Sequence, residues 1–131
     1  MSTVVLNGDT SGQIALTVPA VSGSNTITLP ATTDTAAVLG NLLGVNQTWQ
    51  NLTGSRAYGT TYTNTTGKPI SVFSITNGVS STLSASVSGV TAANSNTTGS
   101  ASVVFFIVPP SATYVVTAGG GATLVTWSEL R

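Results

Sequence analysis

Short segments in which apolar and polar residues alternate recur along this chain, and Gly, Pro or Asn ends most of them. The alternation is clearest in residues 13–18 and 81–87. A period of two places alternate side chains on opposite faces of a strand, whereas an amphipathic helix needs a period of about 3.6. Strands spaced about ten residues apart, with turns between them, are typical of a β-sandwich or a jelly-roll-like barrel. The sequence therefore predicts an all-β fold.

A strand–turn–strand segment lies at the centre of this prediction, in SRAYGTTYTNTTGKPISVFSI. Residues 58–65 are dense in β-branched and aromatic residues, and residues 70–75 again have the pattern of a strand. Between them, Gly67 can adopt a positive φ, and Pro69 has a fixed φ and no backbone donor. This pair therefore predicts a turn that ends the first strand and directs the second.

Other patterns predict the remaining strands and two loops. Further strands are predicted at residues 3–6, 13–18, 26–29, 48–52, 81–87, 101–108, 111–117 and 123–127. The longest apolar run, residues 103–108, fits one buried strand. Residues 92–100 are rich in Ser, Asn and Thr and predict a loop, and the three glycines at residues 119–121 predict a flexible turn.

The same patterns divide the chain into an N-terminal β extension, residues 1–44, and a C-terminal β-sandwich domain, residues 45–131. Within the extension, QIALTVPA and NTITLPAT echo each other, which indicates a short β repeat. One such repeat cannot bury its apolar face alone. It therefore packs either on the C-terminal domain, as an ordinary hairpin flap, or on copies from other subunits.

Helical spacing competes with strand spacing only at residues 33–43. Gly40 and Gly44 weaken a helix there, so we expect a few helical turns at most. The segment includes the apolar pair Leu42 and Leu43. Two interpretations of this pair stay open, burial at an axis between subunits and burial against the core of the same subunit.

Charged residues are scarce, since the chain has three basic and three acidic residues among 131 and a formal net charge of zero. Such a surface cannot bind nucleic acid by counterion release, and it does not attract anionic lipid. No apolar run reaches the length of a membrane span, and no secretory signal is expected. Uncharged strand edges pair with other chains unless they are covered. Symmetric oligomerisation covers them directly, which predicts a homo-oligomer.

The chain has no His and no Cys. This excludes an imidazole base, a Ser-His-Asp or Cys-His arrangement and a cysteine-based zinc site. Acid–base chemistry would depend on Asp9, Asp34 and Glu129, and their wide separation does not favour a carboxylate pair within one subunit. The sequence therefore predicts no enzymatic activity, no metal site and no cofactor.

The few charged side chains of the C-terminal half are expected to have structural roles. Glu129 and Arg131 occupy alternate positions of the last strand, and one of them is expected to pair with Arg56 or Lys68. Arg56 and Lys68 are otherwise expected to be solvated or paired at a sheet edge. Asp9, within NGDTSG, is expected to hold a turn through its own backbone.

Recognition of another molecule would then fall to aromatic side chains or polar loops. Aromatic groups can stack on a sugar or anchor a protein, although in a β protein of this size most are expected in the core or in subunit contacts. The aromatic candidates are Trp49, Tyr58, Tyr62, Tyr114 and Trp127. The loops at residues 92–99 and 119–121 are the predicted site of receptor or glycan binding. Their candidate residues are Asn94, Asn96, Thr97, Gly119 and Gly120.

Three ordered segments, SRAYGTTYTNTTGKPISV, FFIVPPSATYVV and LVTWSELR, resemble the C-terminal β domain of many tailed-bacteriophage fibre and appendage proteins. The pattern of that family is a Ser-Arg, a GxxYxNxTGxPI block, a VPxxAxY block and a Trp-x-Glu-Leu-Arg end. Residues 7–40 resemble a low-complexity segment common in phage fibre proteins. The chain differs from a complete long tail fibre because it lacks a long shaft. The resemblance implies a homotrimer without enzymatic activity or cofactor.

Together these observations predict a bacteriophage virion structural protein, a homotrimer of short tail fibre or spike type that mediates attachment to the host surface. It would be made in the host cytoplasm and located on the particle surface. Its expected partners are its own copies, other virion proteins and a host glycan or receptor. Residues 1–44 would intertwine at the threefold axis or dock on the virion. One alternative is a capsid decoration (cement or head-fibre) protein that stabilises the phage head, and a less favoured one is a polysaccharide-degrading tailspike enzyme.

Overall fold

The structure is a computed structural model of the chain, and it describes residues 3–7, 13–17, 39–77, 82–98 and 100–131. The regular elements of these residues are β-strands and two single 3₁₀ turns, Leu39–Asn41 and Thr53–Ser55. The chain forms two compact units, Met1–Thr35 and Ala36–Arg131. The prediction of an all-β fold is therefore confirmed, whereas the domain limits 1–44 and 45–131 stay a prediction.

The first unit contains an antiparallel hairpin of β1 (Thr3–Asn7) and β2 (Gln13–Thr17). Its register sets Val4 opposite Leu16 and Leu6 opposite Ile14, so that apolar positions lie opposite apolar positions. Strand β2 agrees with the prediction from alternation, and β1 agrees with the short strand predicted at residues 3–6. The predicted strand at residues 26–29 and the predicted turn at Asp9 lie outside the described residues.

In the described part of the second unit, eight strands form two four-stranded antiparallel sheets. The strands are β3 (Trp49–Asn51), β4 (Tyr62–Thr63), β5 (Ile70–Asn77), β6 (Thr82–Val87), β7 (Val90–Asn96), β8 (Val103–Val108), β9 (Thr113–Gly119) and β10 (Thr123–Leu130). The first sheet has the order β3-β10-β5-β8, and the second has the order β4-β9-β6-β7. This arrangement is consistent with the predicted β-sandwich.

The core lies between the two sheets and is built by the alternate side chains of both. The buried apolar residues are Ile70, Val72, Leu83, Ala85, Val104, Phe106, Val108, Tyr114, Val116 and Trp127. Burying one large apolar side chain contributes about 1.5–3 kcal/mol. The inward positions follow the two-residue period of the sequence, which explains why alternation located these strands.

Strand β8 differs from the prediction because only one of its faces is buried. Val104, Phe106 and Val108 point into the core, whereas Phe105 and Ile107 are 55% and 49% exposed. An apolar run without polar residues has the same pattern whether one face or both faces are covered. The sequence could therefore predict the strand but not which of its faces is covered.

Strand β7 occupies residues 92–96 of the loop predicted at residues 92–100. It follows β6 through a two-residue turn in which Ser88 (φ 49) and Gly89 (φ 81) both have positive φ. Two consecutive positive φ values characterise the type I′ turn, which matches the twist of a hairpin. Pairing with β6 therefore overrides the weak strand propensity of the Asn and Ser residues in β7.

Two further predictions are only partly met. Of the strand predicted at residues 58–65, only Tyr62–Thr63 is regular. The preceding residues leave the strand conformation because Gly59 adopts φ 77, and the Gly59 N–H bonds to the carbonyl of Val116. The predicted helical segment shows a single 3₁₀ turn in its described part. Leu42 and Leu43 are 44% and 36% exposed, so their burial against the core of the same subunit does not hold.

The sandwich has two distinct ends. We call the end at which the chain enters the proximal end, and the opposite one the distal end. At the proximal end, Thr48 and Arg131 exchange backbone hydrogen bonds of 3.1 Å in both directions. The proximal end also carries the connections β4–β5 and β8–β9. The distal end carries the connections β7–β8 and β9–β10, and it is separated from the proximal end by the length of the strands.

Candidate interaction surfaces

Glu129 is the centre of a buried polar network between the sheets. Its carboxylate is fully buried and accepts two hydrogen bonds from Arg56, at 2.9 and 3.2 Å. Arg131 donates to Oε2 at 2.7 Å. The Tyr114 hydroxyl and the Trp127 indole N–H both donate to Oε1, at 2.7 and 2.9 Å. The predicted pairing of Glu129 or Arg131 with Arg56 or Lys68 is confirmed for Glu129 and Arg56.

These donors determine the protonation state of the network. Burial alone would raise the pKa of Glu129, but the hydrogen bonds from Arg56, Tyr114 and Trp127 outweigh burial and hold that pKa below its usual value. Burial and the hydrogen bond to Glu129 raise the pKa of Tyr114. Glu129 is therefore a carboxylate and Tyr114 a neutral phenol near neutral pH, so the network is an ion pair supported by neutral donors.

Aromatic rings enclose this network. The guanidinium carbon of Arg56 lies 4.5 Å from the centroid of the Tyr62 ring, in the range of a cation–π contact. Tyr62 in turn packs on Tyr114 and Trp127, with centroid separations of 5.8 and 6.0 Å. Tyr58 packs on Trp127 at 6.4 Å. These four aromatic candidates are structural, as predicted for most of the set.

Asn64 fixes the proximal end in a similar way. Its side chain is 1% exposed, and its Nδ2 donates to the carbonyls of Lys68, Val108 and Pro109 at 2.7–3.0 Å. Its Oδ1 accepts from the backbone N–H and the hydroxyl of Thr66. One amide thus joins the β4–β5 and β8–β9 connections. The side-chain amide of Asn64 can be buried at little cost because both its nitrogen and its oxygen have hydrogen-bond partners.

Several residues of the blocks that resemble phage appendage proteins are therefore internal. Arg56, Tyr114 and Glu129 come from the three different blocks and meet in one network. Asn64 joins the first block to the second. Side chains enclosed in this way specify the fold and cannot contact a ligand. Any recognition of another molecule would have to use other surfaces.

The distal end is one such surface, and it brings the two predicted recognition loops together. Asn96 of β7 and Gly119 of β9 both lie opposite Thr82 of the intervening strand β6. Asn94 lies two residue pairs further along, opposite Ser84. Asn94 and Asn96 are exposed, and Gly120 follows Gly119 in the turn to β10. The two segments, predicted independently at residues 92–99 and 119–121, therefore meet at the same end of the sandwich, the distal end.

Two of the predicted recognition residues have clear structural roles. The Thr97 hydroxyl donates to the carbonyl of Ser100 at 2.8 Å and shares a hydrogen bond with the Ser102 hydroxyl at 2.9 Å, which orders the β7–β8 connection. Gly119 is the last residue of β9, not part of the turn, and a Cβ atom there would lie 2.7 Å from the Thr82 hydroxyl oxygen. Thr97 and Gly119 therefore shape the distal end, while Asn94, Asn96 and Gly120 are available at its surface.

A second surface is the outward face of the first sheet, which we call the outer face. It is defined by Trp49, Phe73, Val103, Phe105 and Ile107. Phe73 and Phe105 are directly paired across β5 and β8, and together with Trp49 and Ser128 they line a shallow groove of about 270 Å³. Sequence reasoning missed this face because the apolar run of β8 has no polar residue to mark an exposed side.

Trp49 is the aromatic candidate that stands apart from the core. Its side chain is 54% exposed at the end of the short edge strand β3, opposite Leu130 of β10. Half-exposed Trp residues are enriched in protein contacts, where one ring buries a large area. The exposure of Trp49 thus makes the outer face the stronger candidate for a protein partner, and the distal end the stronger candidate for a polar ligand.

Among the described residues, no group of three or more His, Cys, Asp or Glu side chains could hold a metal ion. In the same part of the chain, no helix is long and apolar enough to cross a membrane. Comparison with known proteins finds no matching family model, no matching curated protein and no matching solved structure. The fold and the two surfaces define the class of protein, a small all-β sandwich in which Arg56, Glu129 and Arg131 form an internal network.

Proposed function

We propose that this protein is a bacteriophage virion structural protein, a homotrimer of short tail fibre or spike type that mediates attachment to the host surface. The observation that carries the proposal is the placement of Asn94, Asn96 and Gly120 around one end of the sandwich, opposite the end where the chain enters. A domain held on a particle through its N-terminal segment would present this distal end outwards.

The internal network supports the same proposal. The ordered blocks that resemble phage appendage proteins lie far apart in the sequence, yet they meet at Glu129 and Asn64. Such convergence is expected if the blocks define one domain type. Glu129 is enclosed by its donors, which makes it unsuited to act as the catalytic acid of a tailspike enzyme. A binding function therefore fits the geometry better than hydrolysis.

Localisation on the particle tests this function. Gold-labelled antibody against the chain, viewed by electron microscopy on the parent phage, should mark a few sites on the tail. Dense labelling of the head would instead favour the alternative, a capsid decoration protein. Absence of label from purified, infectious particles would overturn both. The mass under native conditions should be about three times the 13.1 kDa of one chain, if the trimer forms.

Adsorption to host cells tests the role of the distal end. The double variant Asn94→Ala/Asn96→Ala should reduce binding of the purified protein to host cells at least about tenfold, as expected when polar contacts to a ligand are lost. Asn41→Ala is the matched control, since Asn41 is also exposed but precedes the sandwich. Equal binding by all three proteins would show that attachment does not use this end.

A further inference from the structure

We infer that the outer face is a contact surface between copies of this chain. This inference rests on the homotrimer of the proposed function and names the surface that holds it together. The outer face consists of side chains from three of the four strands of the first sheet, β3, β5 and β8. Its centre is the Phe73–Phe105 pair, with Trp49 on one side and Val103 and Ile107 along β8.

The apolar area exposed there is as large as the largest apolar patch of a typical monomer, which is often a functional surface. Trp49 and Phe105 are 54% and 55% exposed, and Ile107 and Val103 are 49% and 41% exposed. Since an aromatic side chain carries about 150–250 Å² of surface, Trp49 and Phe105 alone leave on the order of 200 Å² uncovered. With the aliphatic side chains, the outer face exposes roughly 300–400 Å² of apolar surface, in the range of the largest patch on a typical monomer.

This area matches one side of a stable protein interface. A standard interface buries about 800 Å² per partner, of which somewhat more than half is apolar. The outer face would supply most of that apolar share, and the surrounding backbone and hydroxyl groups would supply the polar rim. Exposed aromatic rings that line a groove are also the type of side chain that dominates binding energies. The groove between Trp49 and Phe105 can accept an apolar side chain of a partner.

The chemistry of the surface selects another copy of this chain as the partner. The outer face contains no charged residue, and Arg56, Glu129 and Arg131 are held in the internal network. A charged partner would lose solvation there without gaining a counter-charge. At a threefold axis each copy presents the same neutral and apolar surface to the other two copies, so the three copies meet without repulsion.

Strand β8 gives this choice a second, independent basis. It is an edge strand, because among the described strands it pairs only with β5. It has six residues without a charge or a proline, the two features that usually protect an edge from other strands. The opposite edges of the sandwich are short, since β3 has three residues and β4 has two. The N–H of Val103 already bonds to the Ser95 hydroxyl of β7. A contact that covers the outer face at β8 would also cover the remainder of this edge.

Single substitutions on the full chain test the inference. Phe105→Ser should raise the dissociation constant of the oligomer at least about a hundredfold, as expected for an aromatic anchor of an interface. Val103→Ser and Val90→Ser form a matched pair, because both replace an exposed valine, one on the outer face and one, 70% exposed, on the second sheet. Val103→Ser should weaken the oligomer, and Val90→Ser should not. Sedimentation over a concentration series measures each constant.

Folding of each variant is checked by the fluorescence of Trp127, which is fully buried. If Phe105→Ser fails to fold, Trp49→Ser decides instead, since Trp49 is half exposed on an edge strand and lies outside the core. A folded Phe105→Ser or Trp49→Ser variant that remains as oligomeric as the wild type overturns the inference. A monomeric wild-type protein overturns both the inference and the trimer. The role on the particle is judged separately, by antibody labelling.

Discussion

Replacing Glu129 by Gln removes the charge at the centre of the buried network and keeps the shape of the side chain. The amide can still accept one or two hydrogen bonds, but its NH₂ group would face a donor on Arg56 or Arg131, where an oxygen now lies 2.7–3.2 Å away. The two guanidinium groups would lose their counter-charge. Removing one partner of a buried ion pair typically costs about 3–5 kcal/mol.

We expect a loss near the lower limit of that range. The side chains of Arg56 and Arg131 are 15% and 21% exposed, so both guanidinium groups can regain some contact with water. A loss of about 3 kcal/mol would lower the melting temperature of a domain of about a hundred residues by roughly 12–24 °C. It would also be a large fraction of the total stability, which is about 5–15 kcal/mol for a typical domain.

Urea denaturation followed by tryptophan fluorescence measures the free energy of unfolding, because Trp127 is fully buried and bonded to Glu129. Arg56→Met, alone and combined with Glu129→Gln, completes a double-mutant cycle. The coupling energy between the two sites should exceed about 1 kcal/mol, since the residues are in direct contact. Asp34→Asn is the control, as it removes the same charge from the other compact unit.

Two results would contradict this reasoning. One is a loss of stability below about 1 kcal/mol for Glu129→Gln, which is the range of an exposed salt bridge. The other is strict additivity of Glu129→Gln and Arg56→Met. Either would mean that the network contributes packing but little electrostatic stabilisation.

Further predictions concern pH, the proximal end and one turn. Because the fold lowers the pKa of Glu129, its contribution is present above the ordinary pKa of 4.5 and should be lost as pH falls below that value, which acid titration of the melting temperature measures. Because the fold raises the pKa of Tyr114, stability should also fall as pH rises above 10.0, and Tyr114→Phe should weaken this alkaline loss. Asn64→Ala should cost about 2–4 kcal/mol in urea denaturation, because three carbonyls lose their donor in a buried site. Gly67→Ala should lower the free energy of unfolding by about 1–2 kcal/mol, because Gly67 adopts φ 73, although a Cβ there would meet open space. Gly54→Ala is its control, because a Cβ there also meets open space and Gly54 is not among the positive-φ glycines.

Alternation was sufficient to locate the strands whose two faces differ. In β6, Leu83 and Ala85 alternate with polar residues, and the sequence predicts both the strand and its buried side. In β8 every residue is apolar, so the pattern shows a strand but carries no information on how many of its faces are covered. Strand β7 has few β-formers, and it depends on a turn at Ser88 whose conformation the sequence does not specify.

The polar network was predictable only in part. Glu129 and Arg56 are rare charges in a chain with few alternatives, so the sequence could narrow the partner of Glu129 to Arg56 or Lys68 but not choose between them. Asn64 gave no such signal, because the chain is rich in Asn and its role depends on three carbonyls from distant segments. The grouping of Asn96 with Gly119 likewise depends on strand order, since both pair with Thr82. Local patterns describe strands, whereas contacts between distant segments need the topology.

The uncharged outer face has a consequence for how the assembly should respond to solvent. Since no ion pair would form across it, the ionic strength of a simple salt should hardly change the association. Sulfate, which is excluded from apolar surface, should tighten it, and cooling should loosen it because the hydrophobic effect weakens at low temperature. If the proposed trimer is carried on a virion, storage in the cold and without sulfate would be the condition that most favours its dissociation.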